Sequence, residues 1–234
     1  MPAPRTFVIA TRKALAARAD PSKAPAMQAY MKSAMPYYGV PSPVQAEIWR
    51  ELFPRFPAAT LQQWRNAALA LWRWARFREE RYAALAWTGL RLYREYQTPD
   101  VLPLYEEFII SGAWWDYVDL IASRRVGPIL TSHPRPVAAL MRRWSRDRNL
   151  WKRRTAILAQ LGFKERTDVE LLYACIEPNL DDREFFIRKA IGWALRQYAW
   201  TNPREVARYV RAQGDRLSPL SRREAVKNIE RYRL

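Results

Sequence analysis

A short motif recurs three times in the second half of the chain, as WKRRTAIL (151–158), FIRKAIGW (186–193) and LSRREAVK (220–227). Each copy has a bulky apolar residue, then a basic pair, then two small or apolar residues. Extending the alignment gives steps of 36, 36, 34 and 35 residues between equivalent positions, at Ala84, Leu120, Ala156, Ala190 and Ala225. A period of this size is typical of HEAT and armadillo proteins, in which helical pairs stack into a solenoid.

The rest of the chain also favours helices. Apolar residues recur with helical spacing in two long stripes, at Tyr82–Tyr93 and Ile187–Tyr198, and alternating strand patterns are essentially absent. Four dipeptides are typical of an N-cap followed by the first residue of a helix: Ser42-Pro43, Thr98-Pro99, Asn202-Pro203 and Ser218-Pro219. We therefore predict an all-α chain of about a dozen helices, with residues 1–234 forming a single HEAT-like repeat domain. The alternative that this pattern leaves open is an ordinary helical bundle.

Composition points to an anionic partner. The 234 residues include 40 basic and 23 acidic side chains, a formal net charge of +17, and 33 of the basic residues are arginine. The 11 Trp, 12 Tyr and 8 Phe are too much apolar mass for a disordered chain. A solenoid of this charge predicts a concave groove rich in arginine, which suits a nucleic-acid duplex.

Several classes of protein are disfavoured. One cysteine, Cys175, excludes a disulfide scaffold, and it lies in an apolar stretch where we expect a core residue. One histidine, His133, disfavours a metal or triad enzyme built on histidine, so we expect no metal and no cofactor. The longest uncharged stretch, 33–46, contains three prolines and is too short to span a bilayer, so we expect no membrane partner and a cytoplasmic location.

Trp193 departs from the apolar stripe of its helix. Lys189 and Arg196 are its neighbours at positions i−4 and i+3, which places the indole on a basic face. A tryptophan there can stack on bases or sugars, or it can pack against the next repeat.

Arg154 shows the opposite anomaly, because it lies within the apolar stripe that contains Leu150, Ile157 and Leu158. Arginine is rarely buried without a partner. We expect it either to meet a carboxylate or to mark the point where the stripe opens into a cleft.

The segment SGAWWDYVDLIA (111–122) places Trp115 and Asp119 one helical turn apart, at the edge of another apolar stripe. A carboxylate beside an indole suits a reaction centre, although an ordinary surface aspartate fits the same pattern. The aspartate, the arginine and the tryptophans lie on three helices about one repeat apart. Equivalent positions of consecutive repeats meet along a solenoid groove.

Five stretches together resemble the AlkD-like family of DNA alkylation repair glycosylases: MQAYMKSAMPYYGVPSP (27–43), WWDYVD (114–119), LWKRRTAIL (150–158), FFIRKAIGWALRQYAWTNP (185–203) and LSRREAVKNI (220–229). The resemblance covers nearly the whole chain. It implies a HEAT-like repeat fold and release of N3- and N7-alkylated purines from duplex DNA in base excision repair, with the damaged base left in the stack.

The resemblance also implies roles for individual residues. It makes Asp119 the catalytic carboxylate, with Trp115 and Trp193 as the two active-site tryptophans. It assigns DNA contacts to Arg154, Arg196 and Tyr30, to which we add Lys189 from the basic face of its helix. One position departs from the family pattern, because Pro41 stands where a polar residue is expected, which removes a possible hydrogen bond in the minor groove.

Three functions follow from the sequence. The first is a monomeric DNA N-glycosylase of the bacterial cytoplasm, whose partner is double-stranded DNA containing alkylated bases. The second is a non-catalytic repeat protein that binds damaged or structured nucleic acid, and the third is a scaffold for an acidic protein. Asp119 favours the enzyme, because a purely DNA-binding surface gains nothing from a carboxylate near phosphates.

Overall fold

The computed structural model describes residues 4–229, and the chain divides into two compact units, Met1–Tyr96 (unit 1) and Gln97–Leu234 (unit 2). Unit 1 contains the helices α1 (Pro4–Ala16), α2 (Ala24–Met31), α3 (Ser42–Leu52), α4 (Leu61–Arg73) and α5 (Arg78–Thr88). Unit 2 contains α6 (Leu102–Gly112), α7 (Trp115–Ile121), α8 (Gly127–Ser132), α9 (Pro134–Trp144), α10 (Leu150–Leu158), α11 (Val169–Ile176), α12 (Phe185–Ala199), α13 (Pro203–Gln213) and α14 (Pro219–Val226). No strand occurs within residues 4–229, and no helix in that range is long and apolar enough to cross a membrane.

Aromatic rings form the core of unit 1. The ring of Phe7 on α1 contacts Phe53, Phe56 and Trp87, with centroid distances of 4.7–5.6 Å. Helix α1 thereby packs against α3, α4 and α5. Such clusters bury a large apolar area for each side chain and account for much of a core's stability.

A buried glutamate fixes the segment between α2 and α3. Glu79 on α5 accepts hydrogen bonds from the backbone N–H groups of Tyr38, Gly39 and Val40 at 3.1, 2.9 and 3.2 Å. Gly39 has φ +81, and a Cβ there would lie 2.0 Å from the carbonyl oxygen of Asp20. Only glycine fits this close approach, so the path of the chain between Tyr30 and Pro41 is set locally.

Unit 2 is a stack of helical pairs. Helix α7 packs on α10, α10 on α12 and α12 on α14, while α9, α11 and α13 pack against this row. The equivalent positions Leu120, Ala156, Ala190 and Ala225 lie on α7, α10, α12 and α14, so the sequence period corresponds to successive helices of one layer. The prediction of an all-α helical-repeat fold is confirmed. The concave basic groove and the single domain over 1–234 stay predictions.

The sequence signals located helix starts better than helix ends. Asn202 and Ser218 are side-chain N-caps as predicted, whereas Ser42 is already the first residue of α3 and Thr98 makes no capping bond. The stripe predicted to run to Tyr93 is wrong beyond Thr88, because the chain tightens into 3-10 turns after Gly89. Glycine is a poor helix former and is favoured at such ends.

Cys175 and Gly192 are two buried residues of unit 2. Cys175 lies in the core, as predicted, and burial raises the pKa of its thiol to about 12. Gly192 on α12 faces α14, and a Cβ at this position would lie 2.5 Å from Cβ of Glu224 and 2.9 Å from the carbonyl oxygen of Ser221. The contact between α12 and α14 therefore depends on the missing side chain.

We predict that Gly192→Ala lowers the free energy of unfolding by about 1–3 kcal/mol, the usual cost of overpacking, despite the better helix propensity of alanine. Gly162→Ala is the matched control, because a Cβ there meets no atom within 4 Å. Urea denaturation followed by circular dichroism measures both. Equal midpoints for the two variants would contradict the close-contact explanation.

Candidate active site

Helix α7 presents an indole and a carboxylate on the same side. Trp114 is its N-cap in an extended conformation, so the helix begins at Trp115 and places Asp119 one turn later. Trp115 is half-buried, and the Asp119 side chain is 14% exposed. The helix continues through a π-helical turn at Ala122–Val126, a distortion that occurs often at functional sites.

Asp119 is held by Arg154 from α10. The guanidinium donates from Nε to Oδ1 at 2.7 Å and from Nη2 to Oδ2 at 2.8 Å, so both carboxylate oxygens are engaged side-on. The Arg154 side chain is only 4% exposed, and its Nη1 donates to the carbonyl oxygen of Phe186 at the start of α12. Of the two outcomes predicted for Arg154, the structure shows the carboxylate partner.

A cluster of aromatic rings adjoins this ion pair. Trp114, Trp151 and Phe186 contact one another with centroid distances of 5.0–6.1 Å, and the Arg154 guanidinium lies 6.0 Å from the centre of the Phe186 ring. The apolar surroundings disfavour the charged carboxylate. Burial therefore raises the pKa of Asp119 above its usual value, against the hydrogen bonds and positive charge of Arg154, which act to lower it.

Helix α12 carries the basic face predicted around Trp193. Lys189, Trp193 and Arg196 follow one another at helical spacing, and Trp193 is partly buried against the core of unit 2. The Glu224 carboxylate on α14 forms ion pairs with three cations: Arg196 Nη1 at 2.6 Å, Lys189 Nζ at 2.9 Å and Lys227 Nζ at 2.6 Å.

Glu224 stays ionised although it is buried. Burial on its own raises the pKa of a carboxyl group, but the contacts of Lys227, Lys189 and Arg196 outweigh that effect and lower the pKa of Glu224 to about 2. One carboxylate thus holds the two cations that flank Trp193. Sequence reasoning missed this residue, and the only signal was its place inside the third motif copy, LSRREAVK.

The structure places most of the predicted site residues on three helices of unit 2, α7, α10 and α12, which pack side by side. Asp119 and Trp115 lie on α7, Arg154 on α10, and Lys189, Trp193 and Arg196 on α12. Tyr30 belongs to unit 1, near the end of α2, where its side chain is 76% exposed. Within residues 4–229, no group of three or more His, Cys, Asp and Glu side chains is arranged to hold a metal ion.

Comparison with known proteins gives the family. The model of the DNA alkylation repair enzyme family matches residues 11–229. The chain belongs to this family. A solved structure described as a predicted DNA alkylation repair enzyme from Enterococcus faecalis is 30% identical, covers 90% of this chain and 96% of its own, and superposes with a TM-score of 0.78. No curated protein matches the chain.

Family membership gives the chain a role in DNA alkylation repair and confirms the resemblance found in the sequence motifs. The helical-repeat fold is shared with the Enterococcus faecalis structure over nearly its full length. In this chain the shared fold places Asp119 and Arg154 on the neighbouring helices α7 and α10, where they form an ion pair.

We predict that Arg154→Met destabilises the protein in a pH-dependent way, because it leaves Asp119 buried without its counter-ion and raises the pKa of Asp119 further. When a carboxyl pKa is higher in the folded than in the unfolded state, the folded state binds more protons and stability falls as pH rises through that window. The loss should approach about 3–5 kcal/mol at pH 8 and be smaller at pH 5.

Urea midpoints at both pH values measure the effect. Arg142→Met is the control, because Arg142 pairs at 3.4 Å with Glu170, whose side chain is 88% exposed. Such exposed pairs contribute about 0–1 kcal/mol. A loss for Arg154→Met that is equal at pH 5 and pH 8 would contradict the role assigned to the Asp119 charge.

Proposed function

We propose that the protein is a DNA N-glycosylase that releases N3- and N7-alkylated purines, such as 3-methyladenine and 7-methylguanine, from duplex DNA. The observation that carries the proposal is the Asp119 carboxylate, which is mostly buried, held on both oxygens by Arg154 and placed one turn from Trp115. Membership in the alkylation repair family supports it.

The chemistry needs a negative group near the sugar. An N3- or N7-alkylated purine carries a positive charge, so it leaves without being protonated. When the C1′–N bond breaks, its electron pair neutralises the purine, and positive charge develops on the deoxyribose in an oxocarbenium-like transition state. Water then adds to C1′ and loses a proton, leaving an abasic site and a neutral free base.

Asp119 is the group assigned to that charge. A fixed carboxylate in apolar surroundings interacts with developing positive charge more strongly than it would in water, and it needs no reorganisation during the reaction. The two hydrogen bonds from Arg154 set the plane of the carboxylate and, together with its positive charge, oppose the effect of burial on the pKa of Asp119. Each carboxylate oxygen accepts more than one hydrogen bond, so both retain capacity to orient the attacking water.

The two tryptophans are assigned to the cationic nucleotide. The indole faces of Trp115 and Trp193 would attract it by cation–π contact, worth roughly 0.5–2 kcal/mol each, and would enclose the sugar. Lys189 and Arg196 are assigned to DNA phosphates, and Tyr30 to the groove beside the lesion. The DNA contact that the resemblance implies for Arg154 stays a prediction, because its side chain is 4% exposed and its guanidinium holds Asp119. In this scheme the enzyme grips the backbone and leaves the base stacked, so selectivity comes from the lability of the lesion.

We predict that Asp119→Asn lowers the single-turnover rate of base release from methylated duplex DNA on the order of 10²–10³-fold, with little loss of DNA binding. Asp182→Asn is the matched control, because Asp182 also pairs with an arginine of α10, Arg153 at 2.9 Å, and its side chain is 15% exposed. The control should release bases at nearly the wild-type rate.

The outcomes separate the candidate functions. If neither the wild type nor the variant releases a base although both bind DNA, the protein is a non-catalytic binder. If both release bases at equal rates, the protein is an enzyme whose centre is not Asp119. Binding of acidic proteins without DNA affinity would instead indicate a scaffold.

A second prediction concerns the lesion. Duplexes that carry 7-methylguanine or 3-methyladenine should lose the base, whereas neutral lesions such as ethenoadenine and 8-oxoguanine should be released only at the background rate. The reason is that Asp119 stabilises charge on the sugar but supplies no proton to a neutral leaving group. Chromatography of released bases measures this, and equal release of neutral bases would refute the mechanism.

A further inference from the structure

Unit 1 contains an open cleft between α1 and the end of α4, with a volume of about 600 Å³. Its lining combines three arginines with an indole and two aliphatic side chains: Arg5, Arg12, Arg76, Trp74, Val8 and Ile9. None of these residues takes part in the reaction proposed above, and all belong to unit 1.

Trp74 is exposed, whereas the other tryptophans of unit 1 are buried. Its relative exposure is 50%, whereas Trp49, Trp64, Trp72 and Trp87 are all buried. Leaving an indole in water forfeits the free energy that its burial would give. Within residues 4–229 no aromatic ring or guanidinium stacks on Trp74, so a face of the indole is available to a ligand.

The backbone around Trp74 is held in place. Trp74 is the C-cap of α4, and its N–H bonds to the carbonyl oxygen of Ala70 at 3.1 Å. Arg12 donates from Nη2 to the carbonyl oxygen of Trp74 and from Nε to Glu80 at 3.1 Å. Glu80 also accepts the backbone N–H of Arg76 at 3.1 Å, so one buried carboxylate positions both sides of the cleft.

The remaining charge of the cleft is unpaired. Arg12 is neutralised by Glu80, but Arg5 and Arg76 are exposed, and neither lies within 4 Å of a carboxylate in the part of the chain that the structure describes. Two free guanidinium groups beside an exposed indole match the two parts of a nucleotide. Arginine binds phosphate through its planar fork, and an indole stacks on a base.

We propose that this cleft binds an unpaired stretch of nucleic acid, with a base stacked on Trp74 and adjacent phosphates on Arg5 and Arg76. The bases of a duplex already stack on one another, so only an unpaired nucleotide presents a free face to the indole. An acidic peptide would satisfy the arginines but would leave the indole without a partner. The cleft is thus a second nucleic-acid site, independent of the glycosylase proposal.

Fluorescence anisotropy of a labelled oligothymidylate of about 12 nucleotides tests the proposal on the full chain. We expect Trp74→Ala to weaken binding about tenfold, within the range measured for the loss of one base-stacking contact. Arg5→Ser with Arg76→Ser should weaken binding and lower the log–log salt slope by about 1.4, since each single-strand phosphate contact contributes about 0.7.

Two controls match these changes. Trp200→Ala removes the other half-exposed tryptophan, which is 53% exposed and lines a pocket with one lysine and no arginine. Arg50→Ser with Arg55→Ser removes two exposed arginines of unit 1 outside the cleft. Both controls should bind the oligonucleotide with nearly wild-type affinity.

Three results would overturn the proposal: unchanged affinity of Trp74→Ala, an equal loss for the two arginine pairs, or displacement of the oligonucleotide by a polyaspartate peptide at equal charge. The last result would assign the cleft to acidic protein segments. Base release from methylated duplex by Trp74→Ala should match the wild type, so failure of this proposal and failure of the glycosylase proposal give different results.

Discussion

An ion pair between Asp119 and Arg154 links the helices of unit 2 that carry the candidate site. Asp119 lies in apolar surroundings, where an unpaired charge would be strongly unfavourable, and within residues 4–229 Arg154 binds both of its oxygens. Because the same guanidinium also binds the carbonyl oxygen of Phe186, one side chain connects α7, α10 and α12. This guanidinium, together with the packing of α7 on α10 and of α10 on α12, sets the relative positions of the three helices that carry the candidate site.

Asp119 and Glu224 show how the number of cationic partners shifts the pKa of a carboxyl group against the effect of burial. Asp119 has one cation and apolar neighbours, and its pKa is raised by burial. Glu224 is also buried but has three cations, and its pKa falls to about 2. The first environment leaves Asp119 with a single counter-ion in apolar surroundings. The second gives a permanent anchor for basic side chains.

The sequence predicted the parts of this arrangement that depend on local periodicity. The apolar spacing identified α7, α10, α12 and α14 as equivalent helices, and it marked Arg154 because an arginine interrupted an apolar stripe. It could not identify the partner of Arg154, because Asp119 is 35 residues away and its orientation depends on how α7 packs on α10. For the same reason, the sequence left open that Asp119 is an ordinary surface residue.

Long-range packing also explains the residues that the sequence did not reveal. Glu224 is flanked by basic and small residues like any polar surface position, and its burial follows from the approach of α14 to Gly192 on the neighbouring helix. Trp74 lies in a segment, RWAR (73–76), whose composition resembles the helices around it. Its exposure results from the end of α4 and the bond from Arg12, neither of which leaves a periodic signal.

The contacts of Glu224 also affect the entropy of binding. A free lysine or arginine side chain samples many rotamers and carries about 2 kcal/mol of conformational entropy, much of which is lost when it docks on a phosphate. Lys189 and Arg196 already lose part of this freedom when the protein folds, because Glu224 holds both. If a nucleic-acid strand binds at α12, ordering these two side chains on its phosphates therefore costs less conformational entropy than ordering free ones.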